Sequence, residues 1–370
     1  MRLTQTIRGS LLAIAVCLAV IPGVLAQEMP PKVDVVINKA DLPLVAIVTT
    51  GGTIAEKTDP KTGAAVPAVS GKDLVAAVPG LKDLANIEIL DFSNIDSSQM
   101  TPENWVRLSR TVDKLLARDN IVGAVITHGT DTMALGAFFL DVTLKSEKPV
   151  VFTGAMNDAS SAERDGPFNM YNAVVQVLSK HSQNWGVTVT LNRYINSARD
   201  VRKTNTTNVQ TFSSGEKGYL GYVFGNDVTR FNDRIRRVRL SLPDKIPDTL
   251  PDIPFISMYA GADGRFIRHA VDTGAQGLVI EGVGAGNVNS EMFEAIKYAI
   301  SKKVPVVISS RVYYGSVKPI YGDKGGGKML EDAGCILAGD LMGTKARLLL
   351  MIGLMHYGND IAKLKDLLQQ

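Results

Sequence analysis

The sequence predicts an α/β fold in two parts: a larger N-terminal parallel-sheet domain over residues 44–240 and a smaller C-terminal α/β domain over 255–370. From Leu44 to about Arg239, short apolar runs alternate with helical patterns, the mark of βαβ units and a parallel sheet. Residues 241–254 then place Pro243, Pro247, Pro251 and Pro254 within twelve positions, which leaves no room for a regular element and reads as an interdomain linker. Past the linker, three more strand-like runs at 255–259, 277–280 and 304–308 are separated by helical stretches, so the second part is α/β as well.

Taken in order, the chain opens with Arg2 and Arg8, an apolar stretch from Leu11 to Val20, and the small-residue pattern Val24-Leu25-Ala26 before Gln27. This predicts a signal peptide over 1–26 and a periplasmic or secreted location, because the apolar stretch is shorter than the roughly 20 residues that span a bilayer. Residues 27–43 read as an exposed leader. Leu44–Val48 and Ile121–Ile126 are uninterrupted apolar runs, as expected of strands buried on both faces of a parallel sheet, here of the flavodoxin-like kind. Val150–Phe152 follows a helical pattern over 131–144, and Gly186–Leu191 follows another over 169–179.

Composition narrows the function. Without Arg2 and Arg8 the balance is 38 basic against 37 acidic side chains, which argues against nucleic acid or an anionic membrane as partner. Cys17 leaves with the signal peptide and Cys335 stands alone, so no intramolecular disulfide is expected. The four histidines His128, His181, His269 and His356 share no metal-ligand spacing, and neither a metal nor a cofactor is expected. Two glycine-rich segments resemble nucleotide loops without matching them. Gly322–Met329 has Met329 where a magnesium-binding hydroxyl belongs and reads as a flexible loop, and Gly282–Gly286 has its third glycine out of register.

The informative segments are Thr49-Thr50-Gly51-Gly52-Thr53-Ile54-Ala55 and His128-Gly129-Thr130-Asp131-Thr132, each a threonine on a glycine turn directly after an apolar strand. Such turns lie at the carboxyl edge of a parallel sheet, where open α/β folds bind ligands. A threonine hydroxyl is a weak nucleophile and needs a nearby base and oxyanion donors. Glycine allows close backbone approach, and the start of the following helix offers free N–H groups. Lys203, in Arg199-Asp200-Val201-Arg202-Lys203, is the candidate proton acceptor for Thr130, with Asp131 to hold it.

These motifs, with Asp165-Gly166-Pro167-Phe168-Asn169, resemble the bacterial type II (exported) L-asparaginase and glutaminase-asparaginase family over nearly the whole mature chain. The resemblance implies hydrolysis of the asparagine side-chain amide, with Thr53 as acyl-forming nucleophile and Thr130, Asp131 and Lys203 as a second catalytic triad. It also implies substrate binding by Ser97, Ser98, Gly129, Thr130 and Asp131, and by Asn287 from a second chain of a homotetramer built from tight dimers. Family members carry a tyrosine on the loop after Thr53, but residues 56–67 contain none, and Tyr313, Tyr314 and Tyr321 are the candidates to replace it. Asp323 is the nearest candidate for the acid that a neighbouring chain supplies in the family. A different class of protein shares the gross features: a periplasmic amino-acid binding protein has two α/β domains and a polar cleft, and needs no nucleophile.

Overall fold

The computed structural model describes residues 32–233 and 238–369; the expected signal peptide and residues 27–31 of the leader lie outside the described residues. Strands β1 (Lys32–Val36), β2 (Leu44–Thr49), β3 (Glu56–Thr58), β4 (Ala65–Pro67), β5 (Asn86–Asp91), β6 (Ile121–Thr127), β7 (Val150–Thr153) and β8 (Val187–Leu191) lead to β9 (Tyr194–Ser197), β10 (Arg202–Lys203), β11 (Phe212–Ser213), β12 (Gly221–Phe224) and β13 (Asp227–Arg230). Helices α1 (Gly71–Ala76), α2 (Pro102–Leu116), α3 (Met133–Thr143) and α4 (Gly166–Leu178) connect them. The C-terminal part comprises β14 (Phe255–Ser257), α5 (Arg265–Asp272), β15 (Leu278–Gly282), α6 (Ser290–Ser301), β16 (Val306–Ser310), α7 (Gly327–Asp332), β17 (Ile336–Leu337), α8 (Gly343–Tyr357) and α9 (Ile361–Leu368).

A nine-stranded sheet runs β1-β5-β2-β6-β7-β8-β9-β12-β13, and its strands from β5 to β8 pair in parallel. Those five, numbered along the chain, stand in the order 2-1-3-4-5, the flavodoxin-like winding. Strand order reverses between β2 and β6, which opens a crevice at their carboxyl ends. The smaller sheet is β14-β15-β16-β17, all parallel and in chain order, so it has no such reversal. The architecture is therefore the expected one, a large mostly parallel sheet and a smaller parallel one.

Helix burial follows from sequence. Helix α2 buries one stripe, Trp105, Val106, Leu108, Ser109, Val112, Leu115 and Leu116, and turns its charges outward. Helix α3 is apolar nearly all round and is buried almost throughout. Pro167 opens α4 in its first turn, where a missing N–H costs nothing. One continuous core joins the two sheets: Val48, Ile126, Phe139 and Phe152 share it with Val279, Val307, Leu349 and Met351.

Three stretches differ from the sequence reading. Residues 32–36, taken as leader, form β1, which pairs antiparallel with β5 at the sheet edge, with Val33 and Val35 facing solvent. Its short alternation of Val and polar residues gives too weak a signal for a strand without the neighbour that accepts it. The 241–254 tract has no helix or strand, yet Leu242, Leu250 and Ile253 are buried in the common core. The glycine-rich segment at 322–329, read as a flexible loop, ends in the first turn of α7, and its amides are taken internally: Gly326 N donates to Asp323 O, Gly327 N to Asn287 Oδ1 and Lys328 N to Tyr321 O.

Candidate functional site

Both threonine turns leave the sheet side by side at the reversal between β2 and β6. Thr50 donates from its backbone N–H and its hydroxyl to Thr127 O, at 3.1 and 2.9 Å, which ties the end of one strand to the end of the other. Gly51 and Gly52 have φ of 102° and 83°, which side chains rarely adopt. A Cβ on Gly52 would stand 2.3 Å from Gly129 Cα, so the two turns touch backbone to backbone. Thr53 then begins a 3-10 turn over Thr53–Ala55.

The second turn is assembled on Ser97. Asp131 N donates to Ser97 Oγ at 3.2 Å, Thr132 Oγ1 donates to Ser97 O at 2.7 Å, and a Cβ on Gly129 would fall 2.6 Å from Ser97 Oγ. Thr132 thus spends its hydroxyl on Ser97 rather than on capping α3. Ser97 is buried, whereas Ser98 is exposed and donates its N–H to Asp96 Oδ1 at 2.7 Å.

Lys203 reaches this turn from β10. Its Nζ donates to Thr130 Oγ1 at 2.9 Å and to Asp131 Oδ1 at 2.7 Å. Strand alternation sends the neighbouring Arg202 to the opposite face, where its guanidinium lies over the Tyr313 ring. Thr130 is buried, but the Asp131 carboxylate is open to a cleft of about 420 Å³ lined by Asp131, Lys203, Thr204, Asn205 and Thr206.

His128 supports the turn from beneath. It is fully buried, its Nδ1 lies 2.8 Å from Gly129 O, and the Trp105 indole donates to its Nε2 at 3.4 Å. A donor facing Nε2 makes that nitrogen the acceptor and puts the ring proton on Nδ1. Burial pushes the imidazole down to about 4, so it is neutral at ordinary pH.

Thr53, Ser97, Gly129, Thr130, Asp131 and Lys203 therefore converge within one chain. Asn287 does not join them: it lies beyond β15, closing a bridge with Val283 and accepting from Gly327 N at 3.2 Å. Of the candidate tyrosines, Tyr313 donates its hydroxyl to Ser213 O at 3.3 Å, while Tyr314 and Tyr321 are exposed. The residues after Thr53 form the β3–β4 hairpin, closed through Asp59, Gly63 and Ala64. Sequence reasoning passed over Glu56 at the head of that hairpin, a buried carboxyl whose backbone N–H donates to Thr53 O and closes the turn. Its only sequence signal is a charged residue within three positions of the threonine. Among the described residues, no group of His, Cys, Asp and Glu is arranged to hold a metal ion.

Comparison with known proteins identifies the family. The model of the asparaginase N-terminal domain matches residues 44–236, and that of the glutaminase/asparaginase C-terminal domain matches 252–368. The chain is 39% identical over 321 residues to a probable periplasmic L-asparaginase of Haemophilus influenzae, covering 86% of this chain and 90% of the relative. It is also 39% identical over 319 residues to L-asparaginase 2 of Escherichia coli, covering 85% and 89%. A crystal structure of a probable cytoplasmic L-asparaginase from Campylobacter jejuni superposes with a TM-score of 0.82 at 38% identity, over 89% of this chain and 99% of the other. With both family domains matched in order around the paired threonine turns, the chain belongs to the asparaginase family.

Proposed function

We propose that the protein hydrolyses the side-chain amide of L-asparagine to L-aspartate and ammonia through an acyl-enzyme on Thr53, with glutamine as a side substrate. The observation that carries this reading is the Lys203 ammonium between Thr130 Oγ1 and Asp131 Oδ1, on a turn that touches the Thr53 turn. An ammonium donating to both groups fixes the Thr130 rotamer, and in its neutral form the amine accepts the Thr130 proton. The open Asp131 carboxylate is placed to take a substrate α-ammonium. Ser97 Oγ accepts from Asp131 N, which leaves its own proton to donate to the α-carboxylate. Ser98 flanks that pocket, and free N–H groups at the head of the second turn suit the oxyanion.

On the family resemblance, Asn287, which within one chain lies apart from the threonine turns, completes the site from a second chain. The same resemblance makes the working enzyme a homotetramer of tight dimers, and the N-terminal pattern has it exported after loss of residues 1–26. A binding protein would need no nucleophile, and neither family matches nor relatives favour that alternative. The test is ammonia release from asparagine and glutamine by wild type and Thr53→Ala. The variant is expected to lose at least ~1000-fold in kcat while remaining folded, as for removal of a covalent nucleophile. Undiminished turnover in Thr53→Ala would exclude Thr53 as nucleophile.

A further inference from the structure

Glu56 heads β3, three residues after Thr53. Of the three β3 residues, Lys57 and Thr58 are exposed, and only Glu56, directly after the Thr53–Ala55 turn, is buried, at 8% exposed. The hairpin is anchored on both sides. Ala159 N donates to Glu56 O at 2.9 Å, Thr58 N to Ser160 Oγ at 3.0 Å, and Ala68 N and Val69 N both donate to Ala55 O, at 2.9 and 3.0 Å. The turn closes on Thr53, whose carbonyl accepts from the Glu56 backbone N–H, and the Thr53 side chain beside the carboxyl favours its ionised form. The charged groups that act on it are both carboxylates, Asp96 before the Ser97 turn and Asp158 on the loop before α4. Each is kept in its ionised form by bonds from its own serine, Ser98 and Ser160 respectively. A buried glutamate facing two carboxylates is a poor choice for a structural role, since burial and like charge both oppose its ionisation.

We propose that Glu56 is a catalytic residue, the general base that takes the Thr53 hydroxyl proton as Thr53 Oγ1 attacks the side-chain carbonyl of the substrate. The proposal rests on the amide-hydrolysis reading above. In the first step the Oγ1–C bond forms, the O–H bond breaks toward the Glu56 carboxylate, and the carbonyl π pair moves to oxygen. Collapse breaks the C–N bond, and Glu56 returns its proton to the departing NH2 group, giving ammonia and acyl-Thr53. A water then loses a proton to Glu56 and bonds the acyl carbon. The Thr53 oxygen leaves and recovers that proton, so aspartate is released and both side chains are restored. Burial first, then Asp96, raises the Glu56 pKa above the ordinary glutamate range, which brings the base closer to a neutral working pH.

The experiment measures ammonia release from asparagine against pH for wild type, Thr53→Ala, Glu56→Gln and Glu56→Asp, with a thermal melt of each. Glu56→Gln keeps the shape and a hydrogen bond but no basicity. It is expected to lose ~100-fold or more in kcat with little change in KM, as for removal of a general base. It should also lose the acidic limb of the pH profile, which in wild type lies above the usual glutamate range. Glu56→Asp should retain that limb at reduced turnover. Turnover near wild type in Glu56→Gln, or a Glu56→Gln profile with the acidic limb intact, overturns the proposal. If Glu56→Gln does not fold, Glu56→Asp decides: wild-type turnover with the carboxylate withdrawn by a methylene overturns it. Loss of activity in Thr53→Ala with activity kept in Glu56→Gln removes Glu56 alone. Ammonia release surviving in Thr53→Ala, or absent from wild type, removes the hydrolysis reading and this one with it.

Discussion

His128 carries the Gly129 carbonyl on one ring nitrogen and the Trp105 indole on the other, so the second threonine turn rests on a neutral imidazole. Its folded pKa is about 4 against an ordinary 6.5. The unfolded chain therefore binds a proton at this site between pH 6.5 and 4 while the fold does not, and stability must fall as pH drops through that window. The shift corresponds to about 3 kcal/mol at 1.36 kcal/mol per unit. Asparagine in its place supplies an N–H toward Gly129 O and does not titrate. Denaturant melts from pH 7 to 4 should show wild type losing about 3 kcal/mol more than His128→Asn. Equal pH slopes would show that His128 titrates normally. Glu88 makes a different point at this scale: a charged residue in the middle of β5 hides a strand in the sequence. In the fold it is buried against Arg118, whose guanidinium donates to both carboxylate oxygens at 2.6 and 2.8 Å. That partner lies across the chain at the end of α2, and no local pattern announces it.

Single elements position the site through their ends. Strands β2 and β6 end at the same level because they pair in register to Thr49 and Thr127, and the glycines that follow allow their turns to touch. The turn between β8 and β9 switches the sheet from parallel to antiparallel through Asn192 and Arg193, with φ of 45° and 73°, the geometry of a two-residue type I′ hairpin. Helix α8 contributes Lys345, fully buried, whose ammonium donates to Ala198 O, Arg199 O and Val201 O at 2.8, 2.9 and 2.7 Å. Burial pushes it down to about 7, while three carbonyls accept from its three N–H groups. This one side chain of the C-terminal half holds the segment that leads into Lys203. Lys345→Met fills the same space but leaves three buried carbonyls without a donor, and should cost about 3–5 kcal/mol in denaturant melts. A loss well under 1 kcal/mol would show that water or a backbone shift satisfies those carbonyls.

Across the molecule, the two α/β halves share one core and an ion-pair network. Arg199 donates to Asp200 and to Asp340, both at 2.8 Å, and Lys217 meets Asp340 at 3.0 Å. The strand carrying Lys203 is thereby braced from both halves. Asn287 lies apart from the threonine turns within one chain, and the proposed tetramer is the arrangement in which a second chain would bring it there. If the proposed export and assembly hold, native mass spectrometry of the mature protein should show four chains, each beginning at Gln27. A monomer active on asparagine would refute the completion of the site by a second chain.

Much of the fold was legible because buried parallel strands must be continuously apolar: Leu44–Val48, Ile121–Ile126 and Val150–Phe152 have no other good reading. The flanking strands β1, β9, β12 and β13 were not, since edge and antiparallel strands mix polar and apolar residues and are specified by the neighbours they pair with, and β5 was hidden by Glu88 in its middle. At the site, the sequence determined the two Gly-Thr turns and singled out the lysine that bonds the second, because glycine conformations and side-chain chemistry are local properties of residue type. Only the tertiary structure decided which polar groups meet. Ser97 under the second turn, Lys345 behind Lys203 and Glu56 against Thr53 are contacts set by pairing register and burial, and a buried polar group is known by its partner rather than by its place in the chain.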